Sequence, residues 1–362
     1  MNNIKGENMN NLKKVGLTAL AGSLVAVSAQ AGEMAVTGSA NVSYTHGKGL
    51  GKSIGSDKDV TFTGSGELDN GWSFVMSTTT TDDMGLSSSY TSLTMGSMGT
   101  FTVGTGTGGA SGAYDEEVPQ AYEQISDQNT GNHAANKIGD NFDNNSLVYN
   151  SPSFDLGGAS VAFDLSYSPN AHDGQANDGG AATYTDDVND GYAVGINAAM
   201  GGIKVGAFAA EVDADDALGA TDAFQTVGYI NYSAGPISVG YSQSYSDSGD
   251  NTGAEAANAA KSSTTDTDNG FYEGHQWSVA MNVNENLSVS YTEAETTYDA
   301  QSGPGVGAAA IADVELKSDA IQVAYSMGGM SIKAYRMSHE NPGYDEDAAD
   351  IDTTEITLGL AF

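Results

Sequence analysis

The sequence has no cysteine, few basic residues and no long apolar segment beyond its first 31 residues. The absence of cysteine from all 362 residues excludes a disulfide-stabilised scaffold, so another interaction must hold the chain together. Only 12 lysines and arginines accompany 47 acids, and the formal net charge of −35 argues against nucleic acid as a partner. No later run reaches the roughly 18 apolar residues of a membrane-spanning helix.

Residues 1–31 have the pattern of a secretory signal peptide. Lys13 and Lys14 precede an apolar run from Val15 to Val27, and Ala29-Gln30-Ala31 is a typical cleavage site. We therefore expect residues 1–31 to be removed on export and residues 32–362 to form a single domain. Removal leaves nine basic and 46 acidic residues.

Most of the remaining chain alternates between apolar and polar residues with the period of a β-strand. The last stretch, Thr353 to Phe362, is the clearest example: one parity is apolar, the other is small or polar, and the chain ends on an aromatic. Alternation predicts sixteen strands. They lie near residues 34–45, 59–68, 72–81, 88–96, 99–105, 145–151, 158–168, 190–199, 203–211, 222–232, 237–246, 272–282, 287–296, 314–326, 331–340 and 351–362.

The connections between these strands alternate between short turns and mostly long, acidic loops. The short turns are rich in asparagine and glycine, as in Asp69-Asn70-Gly71, and such residues favour tight hairpins. Short turns at one end and long loops at the other are typical of bacterial outer-membrane barrels. The sequence therefore predicts an all-β protein, a transmembrane antiparallel barrel of sixteen strands, which is wide enough for an aqueous channel.

Three segments resemble the general porins of Gram-negative bacteria, which are trimeric sixteen-stranded diffusion channels. They are Ser92 to Gly104, Asn145 to Phe154 and the terminal strand. The resemblance implies an outer-membrane location, passive diffusion of small hydrophilic solutes and no enzymatic activity. It also implies a homotrimer, contact with outer-membrane lipid and lipopolysaccharide, and recognition of Phe362 as a signal by the barrel-assembly machinery.

In this family the third long loop folds inward and narrows the pore, so the resemblance gives that role to residues 106–144. Its candidate constriction acids are Asp115, Glu116, Glu117, Glu123 and Asp127, and residues 119–125 are expected to form a short helix. The family places arginines and lysines on the opposite wall, but this chain has almost none. Its candidates for a basic lining are Lys204, Lys333 and Arg336; Arg336 falls on the lipid-facing parity, which predicts a strand end or a bulge.

Weakly countered acids predict a preference for cations in the pore. No cofactor is required, although Asp115, Glu116 and Glu117 are a possible Ca²⁺ site because carboxylates are hard oxygen ligands. One alternative is a channel specific for a sugar, an amino acid or a peptide, and Tyr229 and Tyr335 are the aromatic candidates for a sugar track. The other is a secreted acidic surface protein.

Overall fold

The strands form one antiparallel sheet that closes on itself, because the first strand pairs with both the second and the last. The computed structural model describes residues 32–48, 51–105, 109–126, 133–139, 142, 146–169, 190–213, 222–247, 270–300 and 313–362. At the closure, the backbone N–H of Gly38 donates to the carbonyl of Phe362 and that of Phe362 to the carbonyl of Gly38, both at 3.1 Å. The predicted signal peptide, residues 1–31, lies outside the described residues.

Seventeen strand segments occupy the sixteen positions of the barrel, since two short segments, β6 and β7, share one position beside β8. The segments are β1 Glu33–Lys48, β2 Gly51–Glu67, β3 Ser73–Thr80, β4 Leu86–Thr94, β5 Thr100–Thr105, β6 Ser146–Asn150, β7 Phe154–Leu156, β8 Ala159–Ser168, β9 Gly191–Met200, β10 Ile203–Val212, β11 Ala223–Ala234, β12 Ile237–Asp247, β13 Gly270–Asn282, β14 Leu287–Ala300, β15 Val314–Met327, β16 Met330–Glu340 and β17 Ile351–Ala361. The predicted closed antiparallel barrel of sixteen strands is confirmed.

The two faces of the barrel differ in chemistry as the alternation predicts. On β17 the outward face carries exposed Ile356, Leu358 and Leu360, and the inward face carries buried Thr357. The same division runs through β12, β14 and β15, where serine, threonine and glutamine point inward. Apolar side chains outside and hydroxyl-rich side chains inside suit a wall between lipid and water.

The break between β6 and β7 has a local cause in Pro152, which has no N–H to give to the sheet. Ser151 maintains the connection to β8 in two ways. Its N–H donates to the carbonyl of Phe163, and its Oγ accepts from the N–H of Phe163, both at 2.9 Å. The side chain thus replaces a main-chain acceptor, and the ladder resumes where Phe154 pairs with Val161.

The β1–β2 hairpin is longer than alternation predicts. The expected strands end at residue 45 and restart at residue 59, whereas β1 continues to Lys48 and β2 begins at Gly51. Pairing of β2 with β3 starts only at Val60, so this part of the hairpin extends beyond β3. Its residues are mostly polar on both faces. A strand with water on both sides does not need alternating apolar and polar residues, so its sequence does not show the pattern used to predict strands.

Helical structure among the described residues is limited to short 3-10 turns. None of the helices found in that part of the chain has the length and apolar character needed to span a membrane.

Replacing Ser151 by alanine should lower the stability of the barrel by about 1 kcal/mol, because the N–H of Phe163 loses its acceptor. Thermal unfolding of the barrel, followed by its gel mobility with and without heating, measures this. S153A changes an exposed neighbour and serves as the control. Equal stability of S151A and S153A would show that the Ser151 hydroxyl does not support the ladder.

Candidate functional site

The buried apolar residues lie inside the barrel. They come from the inner face of the strands and from the connection between β5 and β6, which packs against that face. We call its described residues, 109–126, 133–139 and 142, the β5–β6 segment. Tyr114 and Phe142 pack with Phe208 and Val227, Ala134 packs with residues of β13–β15, and Ile125 packs with residues of β14–β16. The segment therefore rests on a large arc of the inner wall.

Tyr114 anchors the beginning of the segment on β8 and β9. Its hydroxyl donates to the Asp164 carboxylate and accepts a 3.1 Å bond from the side-chain amide of Asn197. Its ring stacks on Phe208 with a centroid distance of 5.5 Å. Burial, and then the bond to Asp164, raise the pKa of the Tyr114 hydroxyl, which keeps it protonated as a donor.

Tyr122 anchors the middle of the segment on β15 and β17. Its N–H donates to Gln322 Oε1 at 2.8 Å, and its hydroxyl bonds Glu355 Oε1 at 2.8 Å and Thr357 Oγ1 at 2.9 Å. The side-chain amide of Gln322 also donates from Nε2 to the main-chain carbonyl of Glu123 at 2.6 Å. Main-chain groups of the segment thus bond to side chains of the wall.

His133 anchors the later part of the segment through two hydroxyl groups. Its Nδ1 lies 3.0 Å from Thr296 Oγ1, and its Nε2 lies 2.8 Å from Ser318 Oγ, which in turn lies 2.7 Å from His339 Nδ1. His133 is 1% exposed. Burial, and then the neighbouring His339, lower the pKa of His133 to about 3, so this imidazole is neutral.

Inward-facing glycines make room for the segment on the wall. A Cβ added to Gly195 would overlap the ring of Tyr114, and one added to Gly240 would overlap Pro119 Cδ and lie 3.3 Å from Val118 Cα. Larger side chains at these two positions would hold the segment away from the strands.

Both inward-facing lysines of the described strands lie close to the segment. Lys204 Nζ lies 2.8 Å from Glu117 Oε2, and the Glu117 side chain is only 4% exposed. Lys333 Nζ lies 4.9 Å from the ring centroid of Tyr122 and within electrostatic range of Glu123. The two bases therefore act on the acids of the segment.

The remaining predicted constriction residues are distributed as follows. Asp115, Glu116 and Glu123 are half-buried within the segment, and Asp127 lies outside the described residues. The short helix expected over residues 119–125 is wrong: these residues are irregular, because the amides of Ala121 and Tyr122 bond to side chains of the wall and that of Ile125 bonds to the side chain of Gln120. That the segment narrows a pore stays a prediction.

The placement of Arg336 in a basic lining needs correction. Arg336 is exposed in the middle of β16, opposite Ile321 of β15 and Thr354 of β17, with no bulge in the register. It faces outward and adds no charge to the inner wall.

Phe362 is 78% exposed, with its ring beside Gly38 at the closure of the barrel. Its role as an assembly signal stays a prediction.

Calcium binding at Asp115, Glu116 and Glu117 also stays a prediction. No group of three or more potential metal ligands occurs among the residues that the structure describes.

The polar inner face of the wall formed by β1–β5 is as the alternation predicts, but reasoning from the sequence did not include Asp57 and Asp59 among the site residues. Hydroxyl pairs line its inward face, including Thr61 with Thr79 at 2.9 Å and Ser92 with Thr102 at 2.8 Å. Asp57 and Asp59 face inward at its long-loop end, and within these five described strands every lysine points outward. The inward parity of Asp59 was the available signal.

Comparisons with known proteins agree with this architecture. A family model for Gram-negative porins matches residues 16–362. No curated protein matches the chain. Similar solved structures include OmpF of Salmonella typhi in complex with daunomycin (12% identity, TM-score 0.64, covering 91% of this chain and 97% of that chain). An anion-selective porin from Comamonas acidovorans is also similar (13% identity, TM-score 0.61, covering 92% and 100%).

Replacing Gly240 by alanine should loosen the segment, since the added methyl group overlaps Pro119. Overpacking of this kind typically costs about 1–3 kcal/mol. Limited proteolysis with mass spectrometry should therefore find faster cleavage within residues 109–142. G228A is the matched control, because a Cβ there has no neighbour closer than 3.8 Å. Equal cleavage rates in the two variants would contradict the packing described.

Acid should loosen the segment through His133. In a released segment this imidazole has an ordinary pKa near 6.5, against about 3 when it is buried. The released state therefore binds the proton more strongly between these values. Attachment should be fully present above about pH 6.5 and weaken below it, by at most about tenfold per pH unit.

The same proteolysis assay, run from pH 7.5 to 4.5, measures this effect. H133Q keeps a hydrogen-bonding side chain without the titrating group and should flatten the profile. H46Q, at an exposed outward-facing position on β1, should leave the profile unchanged. Parallel profiles for H133Q and the unaltered protein would assign the acid effect to other groups.

Proposed function

This chain belongs to the Gram-negative porin family and is an outer-membrane diffusion channel, and we propose that its water-filled pore prefers cations to anions. Small hydrophilic solutes and ions cross it passively, sorted by size and by fixed charge. The family forms channels, and we assign no catalytic role to any residue of the chain.

The observation that carries the cation preference is the scarcity of inward-facing positive charge. Among the described strands only Lys204 and Lys333 bring a base to the inner wall, and Lys204 is already paired with Glu117. Carboxylates remain on the inner wall at Asp57 and Asp59 of β2 and at Glu355 of β17. Within a Debye length of about 10 Å at 0.1 M salt, such charges concentrate cations and deplete anions.

We place the open pore between the β5–β6 segment and the wall formed by β1–β5. The hydrogen bonds described above tie the segment to side chains of β8, β9, β14, β15 and β17, which leaves the hydroxyl-lined strands on the other side for water. Asp115, Glu116 and Glu123 are half-buried and supply the acidic rim of the eyelet in this proposal. Hydroxyl groups opposite an acidic rim neither repel cations nor bind anions strongly.

A substrate-specific channel has weaker support. A sugar track needs aromatic faces open to the lumen, but Tyr229 is 5% and Tyr335 4% exposed, and Tyr335 packs with residues of the segment. A phosphate channel needs a basic lining, and the described inner wall has only the two lysines named above.

We also propose that the channel is a homotrimer. OmpT of Vibrio cholerae has been described in a trimer form, and 92% of this chain is covered in that comparison at 11% identity. Ala40 on the outward face of β1 permits close approach of a second subunit, whereas the ring of Phe362 covers Gly38. Lipopolysaccharide and the barrel-assembly machinery are further proposed partners, the latter through Phe362.

Neutralising the acidic rim should reduce the cation preference. In planar bilayers, a D115N/E116Q/E123Q variant should lose roughly twofold in the K⁺/Cl⁻ permeability ratio for each charge removed, since one charge in water-like surroundings contributes a few tenths of a kcal/mol. The zero-current potential in a KCl gradient measures the ratio. E295Q, on the outward face of β14, is the matched control and should behave like the unaltered protein. Anion preference of the unaltered channel would refute the proposal, and an unchanged potential in the triple variant would exclude these acids from the rim.

A further inference from the structure

A group of buried polar side chains on the inner wall has no hydrogen-bond partner in the part of the chain that the structure describes. Gln276 is 2% exposed, and neither the oxygen nor the nitrogen of its side chain is bonded. The hydroxyl groups of Ser242, Ser278 and Thr292 are unbonded too, although each of these residues is at most 1% exposed. Such groups call for a partner outside the chain.

These side chains occupy neighbouring positions on β11–β14. Ser242 of β12 is paired with Gln276 of β13, and Ser278, two residues further along β13, is paired with Thr292 of β14. Tyr229 of β11 is paired with Ser242, and its buried hydroxyl is also unbonded. Paired residues of an antiparallel sheet have Cβ atoms about 5 Å apart, so the unbonded groups converge on one region of the wall.

The β5–β6 segment touches the wall on both sides of this region. A Cβ added to Gly240 would lie 2.4 Å from Pro119 Cδ, and one added to Gly274 would lie 2.9 Å from Ala134 Cβ. Gln276 lies between the two contacts, because Gly274 precedes it by two residues on β13 and Gly240 is level with the residue two positions after it. The segment therefore closes over the unbonded groups, which accounts for their burial.

A third contact closes the region on the side of β14. Ile125 of the segment belongs to one packed cluster with Ala294, and Ala294 is the cross-strand neighbour of Gln276. Ser126, the next residue of the segment, is 0% exposed, and its hydroxyl is unbonded within the described residues. Both the wall and the segment thus bring unbonded polar groups to this area.

The wall has a different composition where the segment packs without unbonded groups. Opposite Tyr114 and Phe142, inward residues of β10 and β11 are apolar, as Phe208 and Val227 show. On β12–β14 the covered inward positions carry serine, threonine and glutamine instead. A dry contact favours apolar side chains, because a buried polar group without a partner costs free energy. The polar part of the wall therefore indicates contact with water.

We propose that bound water molecules fill the space between the segment and β11–β14 and join the two by hydrogen bonds. The unbonded groups are all uncharged, and amides and hydroxyls both donate and accept, which suits a small neutral ligand that also does both. A buried water makes about three hydrogen bonds, so these groups can hold about two molecules. The water fastens the segment at a place where its own side chains do not reach the wall.

A crystal structure of the full-length protein, at a resolution that shows ordered water, tests the site directly. Water within about 3.2 Å of the side chains of Gln276 and Thr292 is the expected result. Protein atoms packed directly against both side chains, with no water between them, would overturn the proposal.

The variant T292V tests the bond between water and segment, because valine keeps the shape of threonine without its hydroxyl. Loss of a bridging water should speed cleavage within residues 109–142 at least about threefold in limited proteolysis. An unbonded hydroxyl in a dry contact costs free energy, so its removal would instead slow the cleavage or leave it unchanged, and either result would overturn the proposal. S278A, at the paired position of β13, repeats the test with a smaller change.

The matched control is T61V, which removes an inward-facing hydroxyl from β2, where Thr61 bonds Thr79 at 2.9 Å. It should leave cleavage of the segment unchanged. Equal acceleration in T61V and T292V would attribute the effect to the barrel as a whole and would also overturn the proposal.

Discussion

Every backbone amide and carbonyl that crosses a membrane needs a partner within the protein, and the closure between the first and last strands meets that requirement here. β1 bonds to β2 on one side and to β17 on the other, and the main chain of Phe362 reaches Gly38. A sheet without edges leaves only side chains to meet the surroundings. The division into an outer face rich in leucine, isoleucine and valine and an inner face of hydroxyl groups follows from this closure.

Closure creates a second requirement, since sixteen strands enclose more space than their small inward side chains fill. Along β8–β17 the β5–β6 segment packs Tyr114, Ile125 and Phe142 against the wall, and inward-facing glycines such as Gly195 and Gly240 make room for it. Along β1–β5 the inward residues are mostly short serines and threonines that bond in pairs across strands. One half of the barrel is therefore packed, and the other is suited to water.

The barrel was predictable because its evidence is local: alternation, turn composition and the order of short and long connections all lie within a few residues. The predictions failed where long-range contacts decide. Residues 119–125 form no helix because amides such as that of Tyr122 bond to wall residues some 200 positions away in sequence. The hydrogen bonds of His133 and Ser318 form only where the β5–β6 segment, β15 and β16 come together, and these elements are far apart in sequence. Arg336 lies on the outward face of β16, as its position in the alternation indicates. The prediction that it belongs to a basic lining came from the family pattern and was wrong.

The scarcity of bases makes their placement informative. Seven of the eight described lysines and arginines lie in strands rather than in loops, where they would serve only solubility. Lys204 meets a carboxylate that is almost fully buried, whereas the lysines of β1 and β2 are exposed. Salt screens exposed charges far more than buried ones. The attachment of the segment through Lys204 should therefore persist in salt that screens the exposed lysines of β1 and β2, so the position of the segment on the inner wall is set by contacts that salt affects little.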